Sequence, residues 1–85
     1  MEFIKENSKI YSIDKNKKII AEITFYESKN GVFSIDHTFV DESLRGQGIA
    51  GKLVEMAVEE IEKRGGKVEA TCSYAKKWLE KNKLK

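Results

Sequence analysis

The sequence contains no proline, one cysteine, one histidine and one tryptophan, and no apolar run approaches the ~20 residues that a membrane-spanning helix requires. A lone cysteine closes no internal disulfide, and with a lone histidine it makes no credible metal cluster. Nothing at the amino terminus resembles a signal peptide. Together with the unpaired thiol this predicts a cytoplasmic protein, since thiols stay reduced inside cells. An excess of one charge sign is also missing: 16 Lys and Arg stand against 14 Asp and Glu, a formal net charge of +2. A nucleic-acid binder would be more basic and would interleave aromatics with its cations. No linker, repeat or low-complexity stretch divides the 85 residues. A single domain over 1–85 is therefore expected, monomeric or weakly dimeric, with neither a membrane nor a nucleic acid as partner. A chain this short buries only about 60% of its unfolded surface, so a two-layer α/β sandwich is about the limit of what it can build.

Ile10 to Ile13 read as a first strand with an irregular lead-in from Met1, and Asp14-Lys15-Asn16-Lys17 as a turn. Ile19, Ala21, Ile23 and Phe25 then alternate with Ile20, Glu22, Thr24 and Tyr26, the period of a strand with one apolar face. Lys29-Asn30-Gly31 is a hairpin signal, because Asn and Gly tolerate positive φ. Val32 to Val40 follows as a third strand, antiparallel to its neighbours, and unbroken alternation puts Phe33, Ile35, His37 and Phe39 on one side. Ile49, Leu53, Ala57 and Ile61 make an apolar ridge beside Ala50, Val54 and Val58, predicting an amphipathic helix to about Arg64, stopped by Gly65-Gly66. Val68, Ala70 and Cys72 alternate in a short fourth strand. Ser73 is placed to cap a last helix, Ala75 to Asn82, that buries Trp78 and Leu79.

Three of the six glycines fall within Leu44 to Leu53, Leu-Arg-Gly-Gln-Gly-Ile-Ala-Gly-Lys-Leu, where the helical pattern begins. Glycines let a ligand approach the backbone, and a helix start offers unpaired N–H groups and a positive dipole end, which together cradle an anion. The spacing is not that of a nucleotide triphosphate loop, nor of a dinucleotide site with its distant acidic residue. The bland alternative is a glycine-softened loop at the start of an ordinary helix. Ser34, Asp36 and His37 make no catalytic triad, since neighbouring strand residues point to opposite faces. The adjacent pairs Glu59-Glu60 and Asp41-Glu42 read as solvated charge. Lys76, Lys77, Lys81, Lys83 and Lys85 crowd the tail, either as a solvated helix face or as a local attraction for phosphate.

Arg45, Gly48 and Ala50 meet the Arg/Gln-x-x-Gly-x-Gly/Ala signature, so the segment resembles the acyl-CoA motif of the GNAT acetyltransferase superfamily. The order of strand, helix, Gly65-Gly66 and strand is that family's order too, and the likeness runs from about Phe33 to Lys81. In size, and in its Asp-His-Thr and Cys-Ser-Tyr segments, the chain resembles the small single-domain NATD1-type branch. The resemblance implies a minimal N-acyltransferase-like α/β sandwich, with a mainly antiparallel sheet of about four strands, a CoA-binding helix and a short C-terminal helix. It implies acetyl-CoA as cosubstrate, CoA as product and an unidentified amine, on a small molecule or a protein, as acceptor. Arg45, Gly46, Gln47, Gly48, Ile49, Ala50 and Gly51 would hold the pyrophosphate, Phe39 and Val40 would align pantetheine, and Lys52, Lys76 and Lys77 would add charge.

Many members follow the later strand with Asn-x-x-Ala-x-x-Leu-Tyr-Glu-Lys, whose tyrosine protonates the departing thiolate. Here Cys72 stands at the asparagine and Leu79 at the tyrosine, so that role does not transfer. The topology implied by the family brings His37 and Cys72 near the acetyl group. A helix N-terminus and lysines beside Cys72 would favour its thiolate, making it a nucleophile that accepts acetyl and passes it on. The alternative is a small buried residue at a strand end. His37 is either a general base near neutral pH or a hydrogen-bonded core residue, the latter unless a bulge rotates its strand. Tyr74 is either a substitute proton donor or a packing residue. A non-catalytic acyl-CoA-binding or protein-interaction module is the competing function.

Overall fold

The computed structural model describes residues 1–82, so Lys83 and Lys85 of the tail lie outside the described residues. The alternating segments form the expected strands: β2 (Lys9–Ile13), β3 (Ile19–Lys29) and β4 (Val32–Val40) make an antiparallel meander. The irregular lead-in also pairs, as the two-residue strand β1 (Ile4–Lys5), with Ile4 opposite Tyr11 and Lys5 opposite Ile10. A 3-10 turn, Glu42–Leu44, leads into the helix α1 (Ile49–Lys63). The chain closes with β5 (Lys67–Ala70) and the helix α2 (Ser73–Asn82). The sheet runs β1-β2-β3-β4-β5, and β5 pairs parallel to β4. That direction follows from the crossover, because a helix between two neighbouring strands returns the chain to the starting end of the first. The fold is thus the expected sandwich with one more strand, and its sheet is mixed.

Both helices pack on one face of this sheet. Ile10, Ile23, Phe25 and Ile35 meet Leu53, Val54, Ala57 and Ile61 of α1, and none of these is more than 1% exposed. Burying each of these side chains other than Ala57 contributes roughly 1.5–3 kcal/mol. At its C-terminus α1 ends on Gly65 in the left-handed region, φ 80°. The N–H groups of Gly65 and Gly66 reach back to the carbonyls of Glu62 and Ile61, closing the last turn. Gly66 is needed for space: a Cβ there would fall 2.7 Å from Phe33 Cδ1 and 3.2 Å from Ile61 Cγ2. The Gly66→Ala variant is expected to lose about 1–3 kcal/mol of stability. Urea unfolding should show a lower midpoint at unchanged slope.

The unbroken alternation expected of β4 is corrected at one residue. Thr24 pairs with His37 but Phe25 pairs with Ile35, leaving Asp36 as a bulge whose carboxylate accepts the Thr24 hydroxyl at 2.7 Å. One extra residue reverses which face each later side chain takes. Phe33 and Ile35 face the helices as expected, whereas His37 and Phe39 are turned to the open face and are exposed. Thr38 and Val40 take their place on the helix side.

Candidate functional site

Beyond Ile35 opposite Ala70, β4 and β5 stop pairing. The N–H groups of Thr71 and Cys72 both donate to the Ile35 carbonyl, at 3.0 and 3.2 Å, which turns the chain away from β4 and opens a gap. Above it the chain leaves β4 through Asp41, whose carboxylate accepts the Ser43 N–H at 3.1 Å and hydroxyl at 2.7 Å. The Ser43 hydroxyl and then its N–H hold this carboxyl below the usual range. The turn delivers Gly46 at φ 83° and Gly48 at φ 73°, both left-handed. Gly48 is the residue that starts α1, and no side chain caps that end. The first N–H groups of α1 therefore have neither an intrahelical partner nor a capping side chain. They border a cavity of about 300 Å³ lined by Thr38 and Val40 of β4, the Leu44–Gly46 and Gly48–Gly51 stretches, and Tyr74. Donors at a dipole's positive end, with Arg45 on the rim, suit a diphosphate.

Cys72 is partly buried against the core, next to Thr38 of the cavity wall. Its carbonyl accepts the Lys76 N–H at 2.9 Å, so Cys72 itself is the cap of α2, correcting the expectation that Ser73 would be. Its Sγ lies 3.6 Å across the gap from Thr38 Oγ1. Burial works to raise the thiol's pKa. The Ala75 N–H, the Thr38 hydroxyl and the N–H groups of Tyr74 and Thr38 outweigh it, and the net shift is downward. The helix start thus acts as expected, and no lysine is among the largest effects on the thiol. A lowered thiol pKa raises the thiolate fraction at any given pH, so the rate of iodoacetamide alkylation should rise to its plateau at a lower pH than for an ordinary thiol near 8.5. A midpoint at or above that value would contradict the arrangement.

The structure brings together most of the residues singled out in the sequence. Val40, Arg45, Gly46, Gly48, Ile49, Ala50 and Gly51 line the cavity, while Gln47 belongs to the same loop without lining it. At Gly51 a Cβ would lie 3.4 Å from the Tyr74 hydroxyl and 3.5 Å from Trp78 Nε1, ordinary contact distances. Phe39 carries its side chain on the opposite face, where Glu22 is its partner. Lys52, Lys76 and Lys77 are exposed, and Lys77 borders a separate cleft with Tyr74, Trp78 and Lys81. His37 is on the open face and Cys72 on the helix side of the gap. Leu79 lines another groove, with Val58 and Val68. Thr38 and Leu44 were not singled out. The adjacent polar residues Asp36 and His37, interrupting an alternating strand, were the available signal for the bulge that turns Thr38 inward.

Residues 10–84 match the family described as GCN5-related N-acetyl-transferase. A GCN5-like protein of Staphylococcus aureus, solved in solution, is similar at 37% identity and a TM-score of 0.80, covering 98% of this chain and 81% of that one. An N-acetyltransferase of the GNAT family from Escherichia coli, solved in complex with CoA, has 22% identity and a TM-score of 0.60. A second Staphylococcus aureus protein, an acetyltransferase of the GNAT family, has 16% identity and a TM-score of 0.69. These two match 68% and 87% of this chain but only 35% and 50% of their own, and at such identities the likeness is one of fold. Comparison with curated proteins gives no match.

Proposed function

The chain belongs to the GCN5-related N-acetyltransferase family, and from that premise we propose that it binds acetyl-CoA at the start of α1 and passes the acetyl group through Cys72 to an amine. The observation that carries this reading is the position of the Cys72 sulfur, at the start of α2 and 3.6 Å from Thr38, a residue of the cavity wall. In the first step the thiolate attacks the acetyl carbonyl. A carbon–sulfur bond to Cys72 forms, the one to CoA breaks, and CoA leaves as a thiolate. In the second step the amine nitrogen attacks the acetyl-cysteine, the Cys72 thiolate departs, and the amine's proton goes to a base. His37, on the open face of β4 beyond its last pairing with β5, is our candidate for that base, met by an amine that enters the gap from that face.

With Leu79 in place of the family's tyrosine no acid stands at that position, and in this route both departing groups, CoA and then Cys72, leave as thiolates. We place the chain with the small single-domain branch of the family, and take its acceptor to be an amine on a small molecule or a protein.

Amide-resolved NMR with acetyl-CoA, together with intact mass, tests the reading. Perturbations centred on Val40 to Lys52 and a mass increase of one acetyl group on Cys72 are expected. Saturable binding without any adduct or transfer would favour a non-catalytic acyl-CoA-binding module. An unperturbed spectrum at millimolar ligand would remove the cofactor reading altogether.

A further inference from the structure

We infer that Thr38 is the positioning residue for Cys72, its hydroxyl holding the sulfur in the gap between β4 and β5 in both halves of the transfer. The inference rests on the acetyl-transfer reading above, and the geometry that carries it belongs to three separate elements. The bulge at Asp36 puts Thr38 on the helix side, where it pairs with Ile23 in the sheet and lines the cavity. The turn at Thr71 and Cys72, bound to the Ile35 carbonyl, brings the sulfur to the same gap. The start of α2 fixes the Cys72 backbone through Lys76. Thr38 Oγ1 then stands 3.6 Å from Sγ, although 34 residues separate the two in the chain.

A hydroxyl is suited to this place because it both donates and accepts. With Cys72 as a thiol, Sγ–H donates to Thr38 Oγ1. With Cys72 as a thiolate, the Thr38 O–H turns and donates to the sulfur. The partner therefore survives ionisation. After acetylation the sulfur carries no charge and the hydroxyl loses its strongest acceptor. It regains that acceptor when the amine expels the thiolate, so it favours departure, and before attack it favours the thiolate over the thiol. A charge-assisted hydrogen bond of this kind is about twice as strong as a neutral one.

The other groups acting on the sulfur are the N–H groups of Ala75, Tyr74 and Thr38. None of them is a charged side chain. On α2, Lys76 and Lys77 are exposed, and on β4, His37 and Asp36 face the open side. Thr38 is thus the one side chain among the described groups acting on the sulfur, and it can be removed without touching the helix start.

The test compares Thr38→Val, which keeps the shape and removes the hydroxyl, with Thr38→Ser, which keeps the hydroxyl. Two readouts are followed at saturating acetyl-CoA where acetyl-CoA is present: the pH midpoint of Cys72 alkylation in its absence, and the rate of acetyl-Cys72 formation at pH 7. Thr38→Val is expected to raise the midpoint by about one pH unit, the size of a hydrogen bond to a charged group. It should slow acetyl-Cys72 formation about threefold where the pH lies below both midpoints, because the thiolate fraction falls tenfold per unit while the remaining thiolate becomes more nucleophilic as its pKa rises. Thr38→Ser should restore both. Unchanged values in Thr38→Val overturn the inference, as does a Thr38→Ser variant that behaves like valine, which would make the effect one of packing. If the parent protein forms no acetyl-Cys72, the transfer reading fails by itself. The alkylation midpoints then decide whether Thr38 positions the thiol.

Discussion

Replacing Cys72 by serine is expected to leave the fold and acetyl-CoA binding intact while lowering acetyl transfer by at least ~100-fold. Serine is the informative substitution because of where Cys72 stands. As the cap of α2, Cys72 accepts the Lys76 N–H with its carbonyl and holds its sulfur where the Ala75 and Tyr74 N–H groups act on it, and serine is among the preferred residues for a cap. Alanine would remove the cap as well, at roughly 0.5–2 kcal/mol, and would confuse stability with chemistry. A serine hydroxyl is a poor nucleophile without a strong base held against it, and Thr38 is no such base. Thermal unfolding unchanged or slightly improved, a normal acetyl-CoA titration and collapsed turnover would together assign the chemistry to the sulfur. Full turnover in Cys72→Ser, with an acceptor in hand, would remove Cys72 from the reaction and leave direct attack by the amine.

The second large effect is expected from Gly48→Glu. Gly48 starts α1 at φ 73°, where a side chain costs about 1–2 kcal/mol in backbone strain. A Cβ there would meet nothing within 4 Å, so strain rather than collision sets the stability loss. The larger consequence is electrostatic. A carboxylate at the rim of the cavity would stand where the unpaired N–H groups await the diphosphate, and acetyl-CoA affinity should fall by at least ~100-fold, since both the donors and the dipole then face an anion already in place. Gly48→Ala separates the two causes, carrying the strain without the charge. Isothermal titration of both variants decides: equal affinities for Ala and Glu would mean that the diphosphate does not sit at this helix start.

The candidate site was legible in the chain to an uneven degree. The loop was readable because its chemistry is local: Arg45 to Gly51 need only glycine at positive φ and a helix that follows, and both are written in consecutive residues. The helix α1 was readable for the same reason, its apolar residues recurring with the helical period from Ile49 to Ile61. Cys72 was readable as a residue at a helix start, but not as the cap itself. One residue decides that, and Ser73 beside it is by composition the better candidate. Thr38 was hidden. Its place depends on Asp36 dropping out of the β3–β4 ladder, and the gain that drives this is made between strands, where the Thr24 hydroxyl binds the Asp36 carboxylate.

The sequence by itself determined the strand and helix periods, the glycine-rich start of α1, and the family resemblance those features carry. Each of these rests on interactions between residues a few positions apart, so a linear reading suffices. The tertiary structure alone decided which side chains share a face beyond the bulge. It turned His37 and Phe39 outward and Thr38 and Val40 toward the cavity, and it set the Cys72 sulfur against a hydroxyl 34 residues away. Side-chain direction in a strand alternates with every residue, so a single unpaired position inverts all that follow it. Where that position falls is settled by the pairing of whole strands, which the local sequence does not encode.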